Sequence, residues 1–260
     1  MKKQILKSAL IAMAGVGLLA SGAMAIPIND RDPQIIPNES SDPSEPSLQE
    51  IFDEKIIEGE LDAITDQRND AYWTYSDKTA NAYLVTGYAS WDSTLGIYNL
   101  AGNQEYSFSL LSDGTANFSF TDHDSDGDYD DLKIVDYLGI NYYNNFGSLF
   151  GFFLQVVDDQ DVTSRYYTDD SKNLGTAMSL AYFLSIGTTV QLTDGGAITS
   201  TGDDWLLAFE DNKQGDFDFN DKLFVIEDIA SPVPEPATML LFGTGLAGLA
   251  AVARRRKIQA

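Results

Sequence analysis

Two acidic stretches hold the side chains whose types and spacing suggest chemistry. In the first, carboxylates alternate with other residues and a glycine, Gly127, stands at the sixth position. The candidate ligands are Asp122, Asp124, Asp126, Asp128 and Asp130. Calcium takes six to eight oxygen ligands on a flexible backbone, and this spacing is typical of the opening of a calcium loop. The twelfth position is Lys133, where an EF-hand needs a bidentate glutamate. The sequence therefore predicts a Ca²⁺ loop that connects two strands, with an acidic solvated hairpin turn as the alternative.

The second acidic stretch lies between two predicted strands, Trp205–Phe209 and Leu223–Glu227. Its candidate Ca²⁺ ligands are Glu210, Asp211, Asp216, Asp218, Asn220 and Asp221. Phe217 and Phe219 alternate with these acids, and a period of two places rings and carboxylates on opposite faces. We expect the rings to enter the core and the oxygens to converge on one cation. The alternative is a turn whose Asp and Asn side chains cap their own backbone.

The composition argues against an enzyme. The chain has one histidine, His123, and no cysteine, whereas zinc sites need several of these ligands. No Gly-x-Ser-x-Gly elbow is present, so a serine hydrolase lacks its local signature. A glycosidase needs only two facing carboxylates, and nothing in the sequence singles out a pair. We therefore predict that the protein is not an enzyme.

Short apolar segments between turn residues must position the acidic stretches. They are regularly spaced and separated by Gly, Asn, Asp and Ser. The predicted strands are Tyr83–Tyr88, Leu95–Tyr98, Tyr106–Leu111, Asn117–Thr121, Leu132–Val135, Phe150–Val157, Ser164–Thr168, Leu180–Ser185, Thr188–Leu192, Trp205–Phe209 and Leu223–Glu227. This pattern predicts a mainly β protein, an antiparallel β-sandwich of jelly-roll type.

The segment before these strands divides into a linker and a lead-in. All eight prolines lie outside the predicted β region, which favours an extended linker over 26–47. Ser47 and Glu50 form a capping box that opens a short helix, so we expect a helical or irregular lead-in over 48–80. The β-sandwich domain is predicted over 81–230.

The charge of the chain limits its partners. The whole chain carries a net charge of -24, and the part between residues 26 and 234 keeps 39 acidic and 9 basic residues. Such a surface repels nucleic acid and anionic lipid, and it suits divalent cations. The absence of cysteine also means that the domain must be stable without disulfides.

The first 25 residues have the order of a secretory signal peptide. Lys2, Lys3 and Lys7 precede an apolar run, and the small residues Ala23 and Ala25 flank Met24 at a cleavage site. This order predicts a signal helix over residues 1–25 that signal peptidase removes, and hence export.

The C-terminus has a second ordered pattern. A Pro-Glu-Pro motif precedes an apolar stretch over 237–253, which predicts a single short membrane helix, and a basic cluster closes it. The motif residues are Val233, Pro234, Glu235, Pro236, Arg254, Arg255 and Arg256. Residues 231–257 thus resemble the PEP-CTERM sorting tail of Gram-negative bacteria. The resemblance implies processing by an exosortase, anchoring in the inner membrane in transit, and a final place at the cell surface or in the extracellular matrix.

The end of the β region resembles a second family. The segments Trp205–Asp211 and Gly215–Val225 are similar to the closing pattern of DUF4114 domains, and the resemblance extends loosely over 145–228. That family implies no activity.

Together these features predict an exported matrix protein. We expect a Ca²⁺-stabilised β-sandwich that is structural or adhesive in exopolysaccharide or biofilm, with extracellular polysaccharide as a further partner. The alternatives are a carbohydrate-binding module and, third, a secreted glycoside-active enzyme. Aromatic candidates for sugar binding are Trp73, Trp91, Tyr142, Tyr143, Tyr166 and Tyr167.

Overall fold

The computed structural model describes residues 28–37, 44–75, 79–88, 91–108 and 115–232. These ranges all belong to one compact unit, Pro27–Pro232. The predicted signal segment with its cleavage site, the Pro-Glu-Pro motif, the predicted membrane helix and the basic cluster lie outside the described residues. Within the described ranges, no helix combines the length and apolarity needed to cross a bilayer.

The described residues are mainly β. The helix α1 spans Leu48–Lys55, and a 3₁₀ turn spans Asp170–Asn173. The strands, in chain order, are β1 Ile56–Glu58, β2 Gln67–Arg68, β3 Trp73–Tyr75, β4 Thr79–Thr86, β5 Asp92–Asn99, β6 Glu105–Ser107, β7 Thr115–Thr121, β8 Asp131–Asp136, β9 Gly139–Tyr143, β10 Leu149–Val157, β11 Thr163–Tyr167, β12 Ser179–Leu184, β13 Thr189–Gln191, β14 Ala197–Thr199, β15 Asp204–Phe209, β16 Lys222–Glu227 and β17 Ile229–Ala230.

Two large antiparallel sheets dominate the architecture. The eight-stranded sheet has the order β2-β12-β15-β16-β4-β7-β8-β9. The six-stranded sheet has the order β17-β3-β10-β5-β6, with β11 also paired to β10. A small sheet joins β1, β13 and β14. The prediction of a mainly β protein with antiparallel sheets is confirmed, and the arrangement is consistent with a β-sandwich.

An aromatic inner core joins residues of the two large sheets. Trp73 on β3 and Phe152 on β10 belong to the six-stranded sheet, and Phe118 on β7 and Trp205 on β15 belong to the eight-stranded one. The rings of Trp73 and Trp205 meet edge to face, with centroids 5.6 Å apart. Because β3 supplies this fully buried tryptophan, the predicted lead-in contributes a strand to the sandwich.

A second, outer core covers the other face of the eight-stranded sheet. All six residues of β15 are buried. Trp205, Leu207 and Phe209 face the inner core, while the alternate residues Leu206 and Ala208 pack in the outer core with α1 and the small sheet. Since successive side chains of a strand point to opposite faces, the continuous apolar run of β15 reflects burial on both sides.

The first described segment, residues 28–37, is extended but lies against the domain. Asn29 and Ile36 are buried. Arg31 donates to both carboxylate oxygens of Asp170, at 2.6 and 2.7 Å. This part of the predicted linker is therefore anchored to the folded unit by side-chain contacts.

Candidate cation sites at two acidic loops

The two acidic stretches form loops at opposite ends of the eight-stranded sheet. Loop A, residues 122–130, connects β7 to β8, and loop B, residues 210–221, connects β15 to β16. The neighbours β15, β16, β4 and β7 are successively antiparallel, so β15 and β7 run in opposite directions. Loops A and B, which follow β7 and β15, therefore leave the sheet at opposite ends of its strands. The sequence-predicted ligands make two separate groups.

Loop B brings three carboxylates together. Glu210, Asp216 and Asp218 each offer an oxygen, and these oxygens lie within 4.8 Å of one another. Glu210 and Asp218 are each only 1% exposed, while Asp216 lies at the solvent side. Carboxylates buried next to each other are costly unless a proton or a cation neutralises them. The cluster thus has the geometry of a partly buried cation site.

The turn that positions these carboxylates has an unusual backbone. Phe217 and Phe219 have φ of +56° and +58°, a left-handed conformation that non-glycine residues rarely adopt. The alternation of rings and acids in this loop therefore does not come from an extended backbone of period two. Both rings nevertheless pack inward, with Phe219 in the outer core and Phe217 against both cores. The main-chain N–H of Phe219 donates to Oε1 of Glu210 at 2.5 Å.

Loop B contains buried oxygens that have no hydrogen-bond partner among the described residues. They include Oε2 of Glu210 and Oδ1 of Asn220. The side-chain nitrogen of Asn220 donates to the carbonyl of Pro46 and to Oδ2 of Asp218, each at 2.9 Å. A buried acceptor without a donor costs about 1–3 kcal/mol, and such groups in native proteins are explained by water or an ion. Hard oxygen donors of this kind suit calcium.

Gly215 leaves space beside the unpartnered oxygen of Glu210. An ideal Cβ at position 215 would stand 2.9 Å from Oε2 of Glu210 and 3.0 Å from the carbonyl oxygen of Asn212. Any larger residue would therefore press on the carboxylate. The missing side chain is what keeps this approach to the oxygen open.

The pKa values of two carboxyl groups in loop B are raised, because these groups are buried close to other acids. Burial raises the pKa of Glu210 to about 9, and the negative charge of Asp221 adds to the effect. Burial and the charge of Asp211 raise the pKa of Asp221 to about 7. Asp211 and Asp221 close the base of the loop, because the Asp211 N–H donates to Oδ2 of Asp221 at 2.7 Å. A bound cation would allow these groups to ionise.

Loop A is more open than loop B. Oxygens of Asp122, Asp124 and Asp126 lie within 4.8 Å of one another, and the last two residues are exposed. The N–H of Asp126 donates to Asp124, and the N–H of Asp128 donates to Asp126, at 3.3 and 3.0 Å. The glycine after Asp126 has φ of +101°, as the sharp turn requires. Burial and neighbouring carboxylates raise the pKa of Asp130, which lies outside the cluster of three.

Asp131 anchors loop A, and the sequence reasoning missed it. It is fully buried and accepts the N–H groups of His123, Asp124 and Asn145 at 2.7–2.9 Å. Burial alone would raise its pKa, but the three backbone donors outweigh burial and lower it. The available signal was an acidic residue next to an apolar run, because Asp131 is the first residue of β8 and Asp221 directly precedes β16.

The aromatic candidates for sugar binding do not form one surface. Trp73 and Tyr166 are buried in the inner core. Tyr142 is 42% exposed, and its ring stacks on His123 with centroids 4.1 Å apart. Tyr143 is partly buried and stacks on Tyr106. The buried rings of Trp73 and Tyr166 therefore contribute to the packing of the inner core.

The comparisons with known proteins concern the C-terminal tail. Residues 232–257 match the family model described as the PEP-CTERM protein-sorting motif. No curated protein sequence matches the chain significantly. This motif marks proteins that are exported, anchored in the membrane in transit and processed by an exosortase. The chain therefore carries a PEP-CTERM protein-sorting motif at its C-terminal end and is an exported substrate of an exosortase.

Proposed function

We propose that the exported protein is a non-enzymatic component of the extracellular matrix, structural or adhesive in exopolysaccharide, whose β domain is stabilised by Ca²⁺ at loop B. One observation carries the metal part of this proposal. Glu210 is 1% exposed, its Oε2 has no hydrogen-bond partner among the described residues, and its carboxylate belongs to the cluster with Asp216 and Asp218.

The chemistry of the ligands favours calcium over other metals. Loop B offers carboxylate oxygens and the amide oxygen of Asn220, and no histidine or cysteine occurs between residues 210 and 221. Oxygen-only sites suit Ca²⁺ and Mg²⁺, whereas zinc and copper prefer nitrogen and sulfur. Mg²⁺ dehydrates reluctantly and keeps several waters. A cluster with two buried acids and irregular backbone therefore fits Ca²⁺ better.

The composition of the domain supports a role outside the cell. The sorting motif implies export. The excess of acidic residues suits a solvated extracellular domain. Because the chain has no cysteine, this domain depends on packing and cations rather than disulfides. The resemblance of residues 145–228 to DUF4114 domains and the jelly-roll arrangement stay predictions.

Thermal unfolding of the full chain tests the calcium part of the proposal. A ligand that binds only the folded state stabilises it by about 2.7 kcal/mol at 100 times Kd. We expect the Tm to rise with CaCl₂ and to fall again with excess EDTA. An unchanged Tm at millimolar calcium would overturn the calcium site.

Fractionation tests the matrix part. We expect the protein in the extracellular polysaccharide fraction of cells with an active exosortase, and in the membrane fraction of cells without one. Recovery in the free medium, with none bound to purified exopolysaccharide, would contradict the matrix role.

A further inference from the structure

The side chain of Asn220 connects loop B to the N-terminal layer of the domain, which consists of Pro46 and helix α1. The side-chain nitrogen of Asn220 donates to the carbonyl of Pro46 at 2.9 Å. Ser47, the next residue, is the N-cap of α1 and forms a capping box with Glu50. The contact therefore joins the candidate cation site directly to the start of the helix.

The same layer depends on loop B for its packing. Phe219 lies in the outer core together with Leu48, Ile51 and Phe52 of α1. Its N–H donates to Glu210, so the position of the ring depends on the carboxylate cluster. The ring and the Asn220 amide give loop B two connections to α1.

The chemistry around Asn220 determines the orientation of its amide. The nitrogen lies 2.9 Å from both the carbonyl oxygen of Pro46 and Oδ2 of Asp218. Both neighbours are acceptors, so the opposite orientation would place oxygen against oxygen. The buried Oδ1 is consequently left without a partner among the described residues, as expected of a hard-cation ligand.

We infer that Asn220 couples the loop B cation to the N-terminal layer, so that α1 and Pro46 detach from the sheet only when the cation is released. The inference rests on the proposed Ca²⁺ site. A bound cation fixes Oδ1 of Asn220. Because the side-chain amide is planar, this also fixes its nitrogen, which donates to the Pro46 carbonyl. Without the cation, Oδ1 of Asn220 has no partner among the described residues, and the amide loses one of its restraints.

Hydrogen exchange of the full chain, measured with CaCl₂ and with EDTA, tests this coupling. If opening of α1 releases the cation, exchange in the peptide covering residues 44–55 slows in proportion to calcium, by about 100-fold at 100 times Kd. If α1 opens with the cation still bound, its exchange does not depend on calcium.

Two substitutions at Asn220 separate ligation from coupling. Asn220→Asp keeps an oxygen ligand but removes the donor to Pro46. We expect its Tm still to rise with calcium, while exchange over residues 44–55 becomes independent of calcium. Asn220→Ala removes both groups and should reduce the Tm shift as well. Ser47→Ala weakens the helix cap with Glu50 but leaves the Pro46 carbonyl in place, so it should speed exchange equally with and without calcium.

The outcomes distinguish this inference from the function on which it rests. No rise in Tm with calcium overturns the Ca²⁺ site and the coupling together. A rise in Tm with calcium-independent exchange of α1 in the unmodified protein overturns the coupling alone. So does an Asn220→Asp variant in which the Tm shift and the calcium dependence of α1 exchange are both retained.

Discussion

The main-chain N–H of Phe219 donates a hydrogen bond to Oε1 of Glu210 at 2.5 Å. Glu210 directly follows β15, and Phe219 lies in the turn with left-handed backbone, so the bond joins the end of the strand to this turn. It also directs one oxygen of the Glu210 carboxylate into the protein. The other oxygen stays unpartnered among the described residues, next to the space at Gly215. Loop B is therefore held in its shape by the same carboxylate that we assign to the cation.

Glu210→Gln should have opposite effects with and without calcium. The amide keeps an acceptor for the Phe219 N–H but removes a buried acid whose pKa is raised to about 9. In EDTA at pH 8 we expect a higher Tm than that of the unmodified protein, because a raised pKa costs the folded state about 1.4 kcal/mol for each pH unit above the unfolded value. In calcium we expect the Tm shift to be lost. Glu54→Gln, at an exposed position of α1, is the matched control, and a normal calcium shift in Glu210→Gln would exclude Glu210 as a ligand.

The stability of the calcium-free protein should fall as pH rises. A carboxyl group with a raised pKa keeps its proton in the folded state longer than in the unfolded state, so it stabilises the fold at low pH and loses this contribution as pH rises. For Glu210 the window runs from the ordinary pKa of 4.5 to about 9, and for Asp221 from 3.8 to about 7. Urea unfolding in EDTA between pH 5 and 9 measures the slope. Glu210→Gln should make it shallower, and equal slopes would contradict the assigned pKa.

Gly215→Ala should weaken calcium binding without unfolding the domain. Its Cβ would stand 2.9 Å from Oε2 of Glu210, the oxygen that we assign to the cation. We expect the calcium concentration for half-maximal Tm shift to rise roughly tenfold, equivalent to about 1.4 kcal/mol. Gly196→Ala is the control, because the nearest atoms to its Cβ would belong to the exposed side chain of Asp194, at 3.0 Å and beyond. Equal calcium affinity in both variants would show that this space is not used.

Gly96→Ala should destabilise the six-stranded sheet. Gly96 pairs with Phe153 across β5 and β10, and the Phe153 ring lies over it so closely that an ideal Cβ would be 2.2 Å from the ring. Displacing a packed ring typically costs about 1–3 kcal/mol, or roughly 2–10 °C of Tm for a domain of this size. Because Gly96 lies away from loop B, the calcium-induced shift should remain. A Tm within one degree of that of Gly196→Ala would contradict the close ring packing.

Asp131→Asn should loosen loop A. An amide offers one acceptor oxygen where the carboxylate accepts three backbone N–H groups, so at least one of these part-buried hydrogen bonds is lost, at a cost of about 0.5–1.5 kcal/mol. The lowered pKa of Asp131 also means that its contribution is present above the unfolded pKa and is lost as pH falls through the folded value. The variant should therefore lose less stability in acid, measured by melting at pH 3–7 against the exposed Asp159→Asn control. An unchanged Tm at pH 7 would argue against the anchor.

The strands could be predicted from the sequence because their side-chain pattern is local. β7 alternates buried and half-buried residues along its length, which is the period of a half-exposed strand. The short strand β3 was not predicted, since three residues around Trp73 carry no periodicity of their own. β9 was also missed, because neither of its faces is buried and its sequence therefore shows no alternation.

For the candidate cation site, the sequence predicts which side chains could supply oxygen ligands but not how these oxygens are arranged. The sequence places six oxygen-bearing side chains in loop B, and the structure brings Glu210, Asp216 and Asp218 to within 4.8 Å. The left-handed backbone at Phe217 and Phe219 could not be predicted from the sequence, because it depends on how the two rings pack against the inner and outer cores. The role of Asp131 as an anchor likewise depends on where Asn145 returns to the loop.

The sequence by itself determined that this is an exported protein with a sorting motif, a β-rich domain and two acidic loops, because each of these signals consists of neighbouring residues. Only the tertiary structure decided that the loops leave opposite ends of one sheet and that they differ in burial. Loop A stays near solvent, whereas Glu210 and Asp218 of loop B are each only 1% exposed. That burial removes water from the carboxylates, and it is the physical reason why loop B is the stronger candidate for a cation.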